Sequence, residues 1–235
     1  LVTCMERLER EHDNLRAALQ WARTGDATEL GLQLATALWR FWWVRGHLSE
    51  GRQWLEGLLA QVSSSNALTV SVRAEALCGS GALAYSQGDF ARALAFCTES
   101  LTLARGIGDK WTMTVSLIHL GSMALVQGDL ARAVALCTES LSVARELGDT
   151  WTIALALNVL GDIVLHQNDV VQAAALCTES LALGQELANT WTIAYALTNL
   201  GRVAALRGEY PQATAFYGDS LTLRRLLRDK WGIAL

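Results

Sequence analysis

The sequence lacks the motifs by which catalytic and nucleotide-binding sites are usually recognised. It contains no phosphate loop G-x-x-x-x-G-K-[ST], no dinucleotide motif G-x-G-x-x-G, no H-E-x-x-H and no G-x-S-x-G. No C-x-x-C pair or Cys/His cluster has zinc spacing, and the four histidines fall in different segments of the chain. We therefore predict that this chain is not an enzyme and holds no cofactor and no metal ion.

Concentrated charge and long apolar runs are also missing. The net charge is −4 and the basic residues are scattered, which excludes the cationic surface that direct nucleic-acid binding requires. Hydrophobic residues make up 51% of the chain, but polar or charged residues interrupt every apolar run before it reaches membrane-spanning length. Residues 1–20 do not follow the plan of a signal peptide. We predict a cytoplasmic protein with no nucleic-acid or membrane partner.

The five cysteines do not form a disulfide framework. Cys97, Cys137 and Cys177 are separated by 40 residues each, which would place them on successive helix pairs about 10 Å apart. That separation is too long for a disulfide bridge. We predict that these cysteines are small core residues of a protein in a reducing compartment.

The main feature that is present is a repeat with a period of 40 residues. The sequence Cys-Thr-Glu-Ser-Leu occurs at 97–101, 137–141 and 177–181, and a degenerate copy occupies 217–221. Self-similarity at such a period predicts stacked supersecondary units, each of which contacts only its neighbours. Two further residue types keep the same step: Gly81, Gly121, Gly161 and Gly201, and Trp111, Trp151, Trp191 and Trp231.

Each unit is predicted to contain two helices, A and B. In the unit that begins at Asp109, this residue caps helix A, and Gly128-Asp129 makes the turn into helix B. Ala133 and Cys137 then lie on the inner face of helix B at helical spacing. The predicted second domain, 67–235, comprises four regular repeats and the start of a further one. The repeats are predicted over 68–108, 109–148, 149–188 and 189–228.

The predicted first domain, 1–66, combines an N-terminal helix with a degenerate, tryptophan-rich repeat. Asp26 is a candidate N-cap, and the polar residues 61–66 are predicted to form a flexible connection. The four tryptophans of the second and third predicted helices are interpreted as core residues, with a ligand cage as the alternative. The helices are predicted over 3–23, 27–44 and 49–61, with tryptophans at Trp39, Trp42, Trp43 and Trp54.

The repeat resembles the tetratricopeptide repeat (TPR). Leu117, Leu120, Gly121, Ala133 and Cys137 match the spacing of the TPR signature, although cysteine replaces an aromatic residue and the step is 40 rather than about 34. The resemblance implies an all-α fold, a right-handed α-solenoid of antiparallel helix pairs.

Three N-terminal segments add a second resemblance. Segments 8–17, 38–43 and 46–51 resemble the region that joins an ATPase to a long TPR array in bacterial STAND-class signalling ATPases and large transcriptional regulators. In that class the array acts as a sensor or a brake. Because the sequence starts with Leu and ends in the opening of another repeat, we expect the natural protein to continue.

One face of helix A differs most between the repeats, and the TPR resemblance implies that this face lines a concave binding groove. Asn158, Asp162 and His166 are four residues apart, and Arg202 occupies the position of Asp162 in the next repeat. We hypothesise a polar recognition patch bordered by apolar residues; the alternative is a structural ion pair between repeats. The predicted binding residues are Tyr85, Val115, Ile118, Ser122, Asn158, Asp162, His166, Tyr195, Thr198 and Arg202.

The predicted function is a non-catalytic sensor or scaffold module. Its partner would be a protein, a peptide or a small effector in the groove, and an intramolecular contact with an ATPase domain outside this sequence is a further candidate. The alternative is a passive protein–protein adaptor that has no switching role.

Overall fold

The computed structural model describes residues 2–25, 27–62 and 67–234, and its regular elements are all α-helices. The predicted all-α fold is therefore confirmed for these residues. The thirteen helices of the described ranges are α1 (Val2–Arg10), α2 (His12–Thr24), α3 (Thr28–Arg45), α4 (Leu48–Leu59), α5 (Ala67–Ser86), α6 (Phe90–Ile107), α7 (Lys110–Val126), α8 (Leu130–Leu147), α9 (Thr150–His166), α10 (Val170–Glu186), α11 (Thr190–Leu206), α12 (Tyr210–Leu227) and α13 (Lys230–Ala234).

The N-terminal helix is interrupted, and the prediction of one continuous helix over 3–23 is wrong. Glu11 has φ −92° and ψ 7°, away from helical values, and separates α1 from α2. No proline or glycine marks this break in the sequence, so helical periodicity alone does not reveal it. The predicted helices over 27–44 and 49–61 agree with α3 and α4 within two residues at each end. Asp26 and most of the predicted connection, 63–66, lie outside the described residues.

The helix starts confirm the predicted capping pattern. Because the first amides of a helix have no partner within it, a short acidic or amide side chain before the helix stabilises the start. Each cap accepts a hydrogen bond of 2.9–3.4 Å from the amide three residues later. The capping residues are Asp89, Asp109, Asp129, Asp149, Asp169 and Asn189.

The A-to-B turns need one residue with positive φ. Gly88, Gly128 and Gly208 have φ between 77° and 80°, a conformation that glycine adopts without strain. Asn168 takes the same place in the third repeat with φ 63°, as expected of the residue that best tolerates this region after glycine. These turns reverse the chain, so that helices A and B of one repeat pack side by side.

The described residues form two compact units, whose boundary falls inside α7. We call Val2–His119 the N-terminal unit and the residues from Leu120 to the end of α13 the C-terminal unit. Large side chains fill the interior of the N-terminal unit, where Phe41 and Trp42 are each 1% exposed. In the C-terminal unit the buried faces are rich in alanine, leucine and valine. No helix of the described residues is long and apolar enough to cross a membrane.

Candidate binding surface

The cysteines of the repeated sequence are packing residues. Cys97, Cys137 and Cys177 are fully buried, and a Cβ atom added at Gly81, Gly121 or Gly161 would lie under 3.0 Å from the facing sulfur. Burial raises the pKa of Cys137 and of Cys177 to about 12, so both thiols are protonated at neutral pH. The predicted core role is confirmed.

The serine of the repeated sequence has a structural role that periodicity did not reveal. Ser180 Oγ donates a hydrogen bond of 2.7 Å to the backbone carbonyl of Ala154, and so joins helix B to helix A of the same repeat. Ser100 and Ser220 make the same bond to Ala74 and Ala194. The signal in the sequence was a serine that recurs three residues after the cysteine in every copy of Cys-Thr-Glu-Ser-Leu.

The glutamates of the repeated sequence lie at the surface. Glu99 pairs with Arg73 at 2.9 Å, and Glu179 pairs with Arg145 at 3.1 Å, and in each pair the carboxylate side chain is about half exposed. Solvent-exposed pairs of this kind contribute about 0–1 kcal/mol to stability. These glutamates therefore lie at a solvated edge of helix B.

In the N-terminal unit, the predicted binding residues are mostly buried. Val115 is 0% exposed and Ile118 is 2% exposed, so a partner cannot contact either side chain in this structure. Tyr85 is partly exposed and packs edge-on against Phe90, with ring centroids 5.7 Å apart. Helix A of these repeats is covered on this face, because apolar side chains there pack into the core.

In the C-terminal unit, Asn158 also belongs to the interior. Its Nδ2 donates to the carbonyl of Thr192 at 3.3 Å, and its own carbonyl accepts a 3.0 Å hydrogen bond from Asn199 Nδ2. The side chain is 0% exposed, and its Oδ1 has no hydrogen-bond partner. Asn158 thus joins α9 to α11 and is not available to a partner. Asn199 was not predicted from the sequence, although it stands where the other repeats have Gly79, His119 and Val159.

Asp162, His166 and Arg202 form the polar part of the predicted patch that remains accessible. Arg202 Nη1 contacts Asp162 Oδ1 across neighbouring repeats. His166 Nδ1 lies 2.9 Å from the carbonyl of Asp162 and 3.8 Å from its Oδ1. The side chains of Arg202 and His166 are 35% and 44% exposed. The ion pair that was the structural alternative is therefore present and partly exposed, and the recognition patch stays a prediction.

Two of the other predicted residues on α11 serve different purposes. Tyr195 is partly exposed and packs edge-on against Trp191, with ring centroids 5.4 Å apart. Thr198 instead joins a network, since its Oγ1 lies 2.8 Å from Ser220 Oγ and accepts from Arg224 at 3.3 Å. Ser122, on α7, is partly exposed. We define the α9–α11 surface as Asp162, His166, Tyr195 and Arg202.

A buried ion pair at the last helix junction was not predicted from the sequence. Arg224 Nη1 lies 3.1 Å from Asp229 Oδ2, and the two side chains are 5% and 3% exposed. Asp229 Oδ1 also accepts from the amide of Gly232 at 2.9 Å. The signal was available, because Arg224 stands at the position that Ala104 and Ala144 occupy in earlier repeats.

The comparison with protein families identifies the repeats. The family model of the MalT-like TPR region matches residues 69–223. The match includes every residue of the α9–α11 surface and all three copies of the Cys-Thr-Glu-Ser-Leu sequence.

Relatives by sequence are regulators of much greater length. Two provisionally named HTH-type transcriptional regulators, from Mycobacterium bovis and Mycobacterium tuberculosis, are each 37% identical to this chain over 108 residues. The matched part is 44% of this chain and 12% of each regulator. This chain therefore corresponds to a small part of those proteins.

Solved structures confirm the TPR-like α-solenoid fold. BtubC (BKLC) from P. vanneervenii is similar with a TM-score of 0.66 at 16% identity, covering 95% of this chain and 92% of that one. A Signal Transduction ATPase with Numerous Domains (STAND) protein with a TPR sensor, from Pyrococcus horikoshii, has a TM-score of 0.63 at 13% identity. That match covers 87% of this chain and 32% of the STAND protein.

Proposed function

Since this chain belongs to the MalT-like TPR family, we propose that it is the partner-binding sensor module of a longer cytoplasmic regulator that contains an ATPase. TPR repeats generally mediate protein interactions, and TPR-type folds are generally non-catalytic. The related regulators are matched over only 12% of their length, which supports a module that acts within a larger protein. The proposed activity is binding, with no chemical step in this chain.

The observation that carries the proposal is the exposed ion pair of the α9–α11 surface. Arg202 and Asp162 stand at the same position of successive repeats, where Ala82 and Ser122 stand in the earlier ones. A partly exposed pair contributes about 0–1 kcal/mol to stability. Breaking it therefore costs little, and each of its two groups can pair with a group of a binding partner instead. A peptide that offers a carboxylate to Arg202 and a donor to Asp162 suits this surface, and Tyr195 adds an aromatic face beside it.

The proposed mechanism is a shift between two arrangements of the module. A bound partner can change the state of an attached ATPase only if its affinity differs between those arrangements. Because the coupling is reciprocal, the nucleotide state of the ATPase would change the affinity of the α9–α11 surface for its partner by the same factor. Partner binding and the rate of ATP hydrolysis would then both depend on the equilibrium between the two arrangements.

The binding part of the proposal is tested with a displayed peptide library selected against this chain. We expect selected peptides to lose affinity for the Asp162→Ala and Arg202→Ala variants. The control is Glu179→Ala, because Glu179 also forms an interhelical ion pair, with Arg145 of the preceding repeat, in the same unit. Equal loss in all three variants, or no loss in the first two, would contradict the assignment of the surface.

The regulatory part is tested in the full-length protein. We expect a selected peptide to change the rate of ATP hydrolysis, and the change to be lost in Asp162→Ala. A peptide that binds without altering hydrolysis would identify a passive adaptor instead. A full-length sequence with no phosphate loop would rule out the ATPase part of the proposal.

A further inference from the structure

Three possible metal ligands that are far apart in the sequence meet in the N-terminal unit. Glu9 lies at the end of α1, His12 is the first residue of α2, and His47 immediately precedes α4. The break at Glu11 brings Glu9 and His12 beside each other, and the turn after α3 brings His47 to them. One carboxylate oxygen and one nitrogen from each imidazole lie within 4.8 Å of one another.

The surrounding residues hold these side chains in place. His12 Nε2 lies 3.1 Å from Glu50 Oε1, and Arg16 donates two hydrogen bonds, of 2.8 and 2.7 Å, to the same carboxylate. His47 Nε2 lies 3.4 Å from Glu9 Oε1. The two imidazole centroids are 4.6 Å apart, and Phe41 packs edge-on against His12 at 5.1 Å. Ligands held in this way lose little side-chain entropy when they bind an ion.

The hydrogen bonds within the cluster leave polar atoms unsatisfied. Glu9 Oε2 is buried and has no hydrogen-bond partner, and its nearest cation is Arg45 Nε at 3.5 Å. Arg45 is 4% exposed, and its Nε and Nη1 also have no hydrogen-bond partner. Glu9 Oε2 therefore has an ion-pair contact but no hydrogen bond, so this buried oxygen can accept a further ligand.

We propose that Glu9, His12 and His47 bind one zinc ion. Two neutral imidazole nitrogens and one carboxylate oxygen form a ligand set that Zn²⁺ accepts, with the fourth position open to water. We assign Glu9 Oε2 to the ion, because it is the carboxylate oxygen that lacks a hydrogen bond, and Arg45 would stay beside it as an outer-shell partner. The charges of Arg16 and Arg45 oppose the ion, so binding is weaker than at a structural site with four protein ligands.

The ion would connect the α1–α2 junction to the turn between α3 and α4. It would therefore stabilise the folded N-terminal unit, by an amount that grows with the logarithm of the ratio of free zinc to its dissociation constant. This proposal concerns the N-terminal unit only and does not depend on the proposed function.

The test measures zinc uptake and thermal stability of the whole chain under reducing conditions. We expect one zinc ion per chain by equilibrium dialysis and a higher unfolding midpoint with zinc. Both effects should be lost in His12→Gln, His47→Gln and Glu9→Gln. Two controls should keep them: His166→Gln, an exposed histidine near a carboxylate, and Cys4→Ser, an exposed free thiol that could bind zinc by itself.

Co²⁺ replaces zinc as a spectroscopic probe of the wild-type chain. This measurement tests the ligand set even if a variant fails to fold. We expect wild-type chain with Co²⁺ to show the intense visible absorption of a four- or five-coordinate ion without the charge-transfer band of a thiolate. Weak octahedral absorption, uptake below one ion per chain, or loss of binding in Cys4→Ser would each overturn the proposal. Unchanged binding in a histidine variant with native helical content would overturn it as well.

Discussion

Glycine gives close helix packing in two regions of the molecule with opposite partners, which are indoles around α3 and thiols within the regular repeats of α5–α12. In the N-terminal unit, a Cβ atom at Gly51 would lie 2.8 Å from Trp42, and one at Gly79 would lie 2.9 Å from Trp39. Within the repeats, a Cβ atom at Gly161 would lie 2.6 Å from the small Sγ atom of Cys177. Glycine thus accommodates the bulky indoles of α3 in one region and the thiols of the repeats, including Cys97, in the other.

This difference explains why the helix pairs from α5 onward repeat and helices α1–α4 do not. A Gly–Cys contact is small and can recur in register, so successive helix pairs pack with the same geometry. An indole occupies a specific cavity, and each of its neighbours must fit that shape. Only at Gly201, which contacts Tyr217, does the C-terminal unit use an aromatic partner, as the TPR signature does.

The largest expected effect comes from emptying the N-terminal core. Trp42→Ala removes an indole that is 1% exposed, and we expect a loss of about 3–5 kcal/mol in the free energy of unfolding. The matched control is Trp21→Ala, since Trp21 is 65% exposed, and its effect should stay within about 0.5 kcal/mol. Denaturant unfolding measures both. Equal effects of the two substitutions would refute a core built on specific indole cavities.

The repeated half of the molecule could be predicted from the sequence in detail. A strict 40-residue period aligns the capping residues, the turns and the buried cysteines, so evidence from one repeat supports the others. Asp129, Gly128 and Cys137 could therefore be assigned to cap, turn and core from the period and the residue types alone. The same logic identified Asp162 and Arg202 as neighbours, because they share one position in adjacent repeats.

Helices α1–α4 could not be predicted to the same depth, because their contacts do not recur. His12 meets Glu50, and Glu9 meets His47, each across 38 residues with no second copy to confirm the pairing. The break at Glu11 depends on those contacts and not on a local helix breaker. The burial of Val115, Ile118 and Asn158 in the predicted patch could not be predicted from the sequence either. Residues differ between repeats both on a free surface and in a repacked interior, so variation alone does not distinguish the two.

Acid sensitivity should be next in magnitude and should depend on His119. Burial lowers the pKa of His119 from 6.5 to about 4, and its Nε2 has no hydrogen-bond partner. Since the unfolded chain binds this proton more readily, stability is complete above pH 6.5 and is lost as the pH falls towards 4, by about 2–3 kcal/mol.

The substitution His119→Val copies the residue at the equivalent position of the next repeat, Val159. We expect it to flatten the dependence of the unfolding free energy on pH between about 4 and 6.5. His166→Val is the control, because His166 is exposed and its loss should leave that dependence almost intact. An unchanged pH profile in His119→Val would show that another group causes the acid sensitivity.

The Gly–Cys contact of the C-terminal unit should show a smaller effect that a second substitution can reverse. Gly161→Ala places a methyl group against Cys177 Sγ, and we expect a loss of about 1–3 kcal/mol from overpacking. Adding Cys177→Ala removes the sulfur, so the double variant should be more stable than the sum of the two single effects predicts.

A glycine with free space around it provides the control for this cycle. A Cβ atom at Gly218, within α12, meets nothing within 4 Å. Gly218→Ala should therefore stabilise the chain by about 0.5–1 kcal/mol through helix propensity alone. If Gly161→Ala also stabilises the chain, the close contact with Cys177 does not limit packing in this unit.

The smallest expected effects are the losses of stability on breaking either of two interhelical ion pairs of the C-terminal unit, Arg145–Glu179 and Arg202–Asp162. Replacing Glu179 or Asp162 with alanine should each change the free energy of unfolding by no more than about 1 kcal/mol, because both pairs are partly exposed. Raising the salt concentration should reduce both effects further. A much larger loss for Asp162→Ala, with Glu179→Ala near zero, would mean that the Asp162–Arg202 pair is a structural requirement. Its groups would then not be free to exchange for those of a partner, and the α9–α11 surface would lose its main support as a binding site.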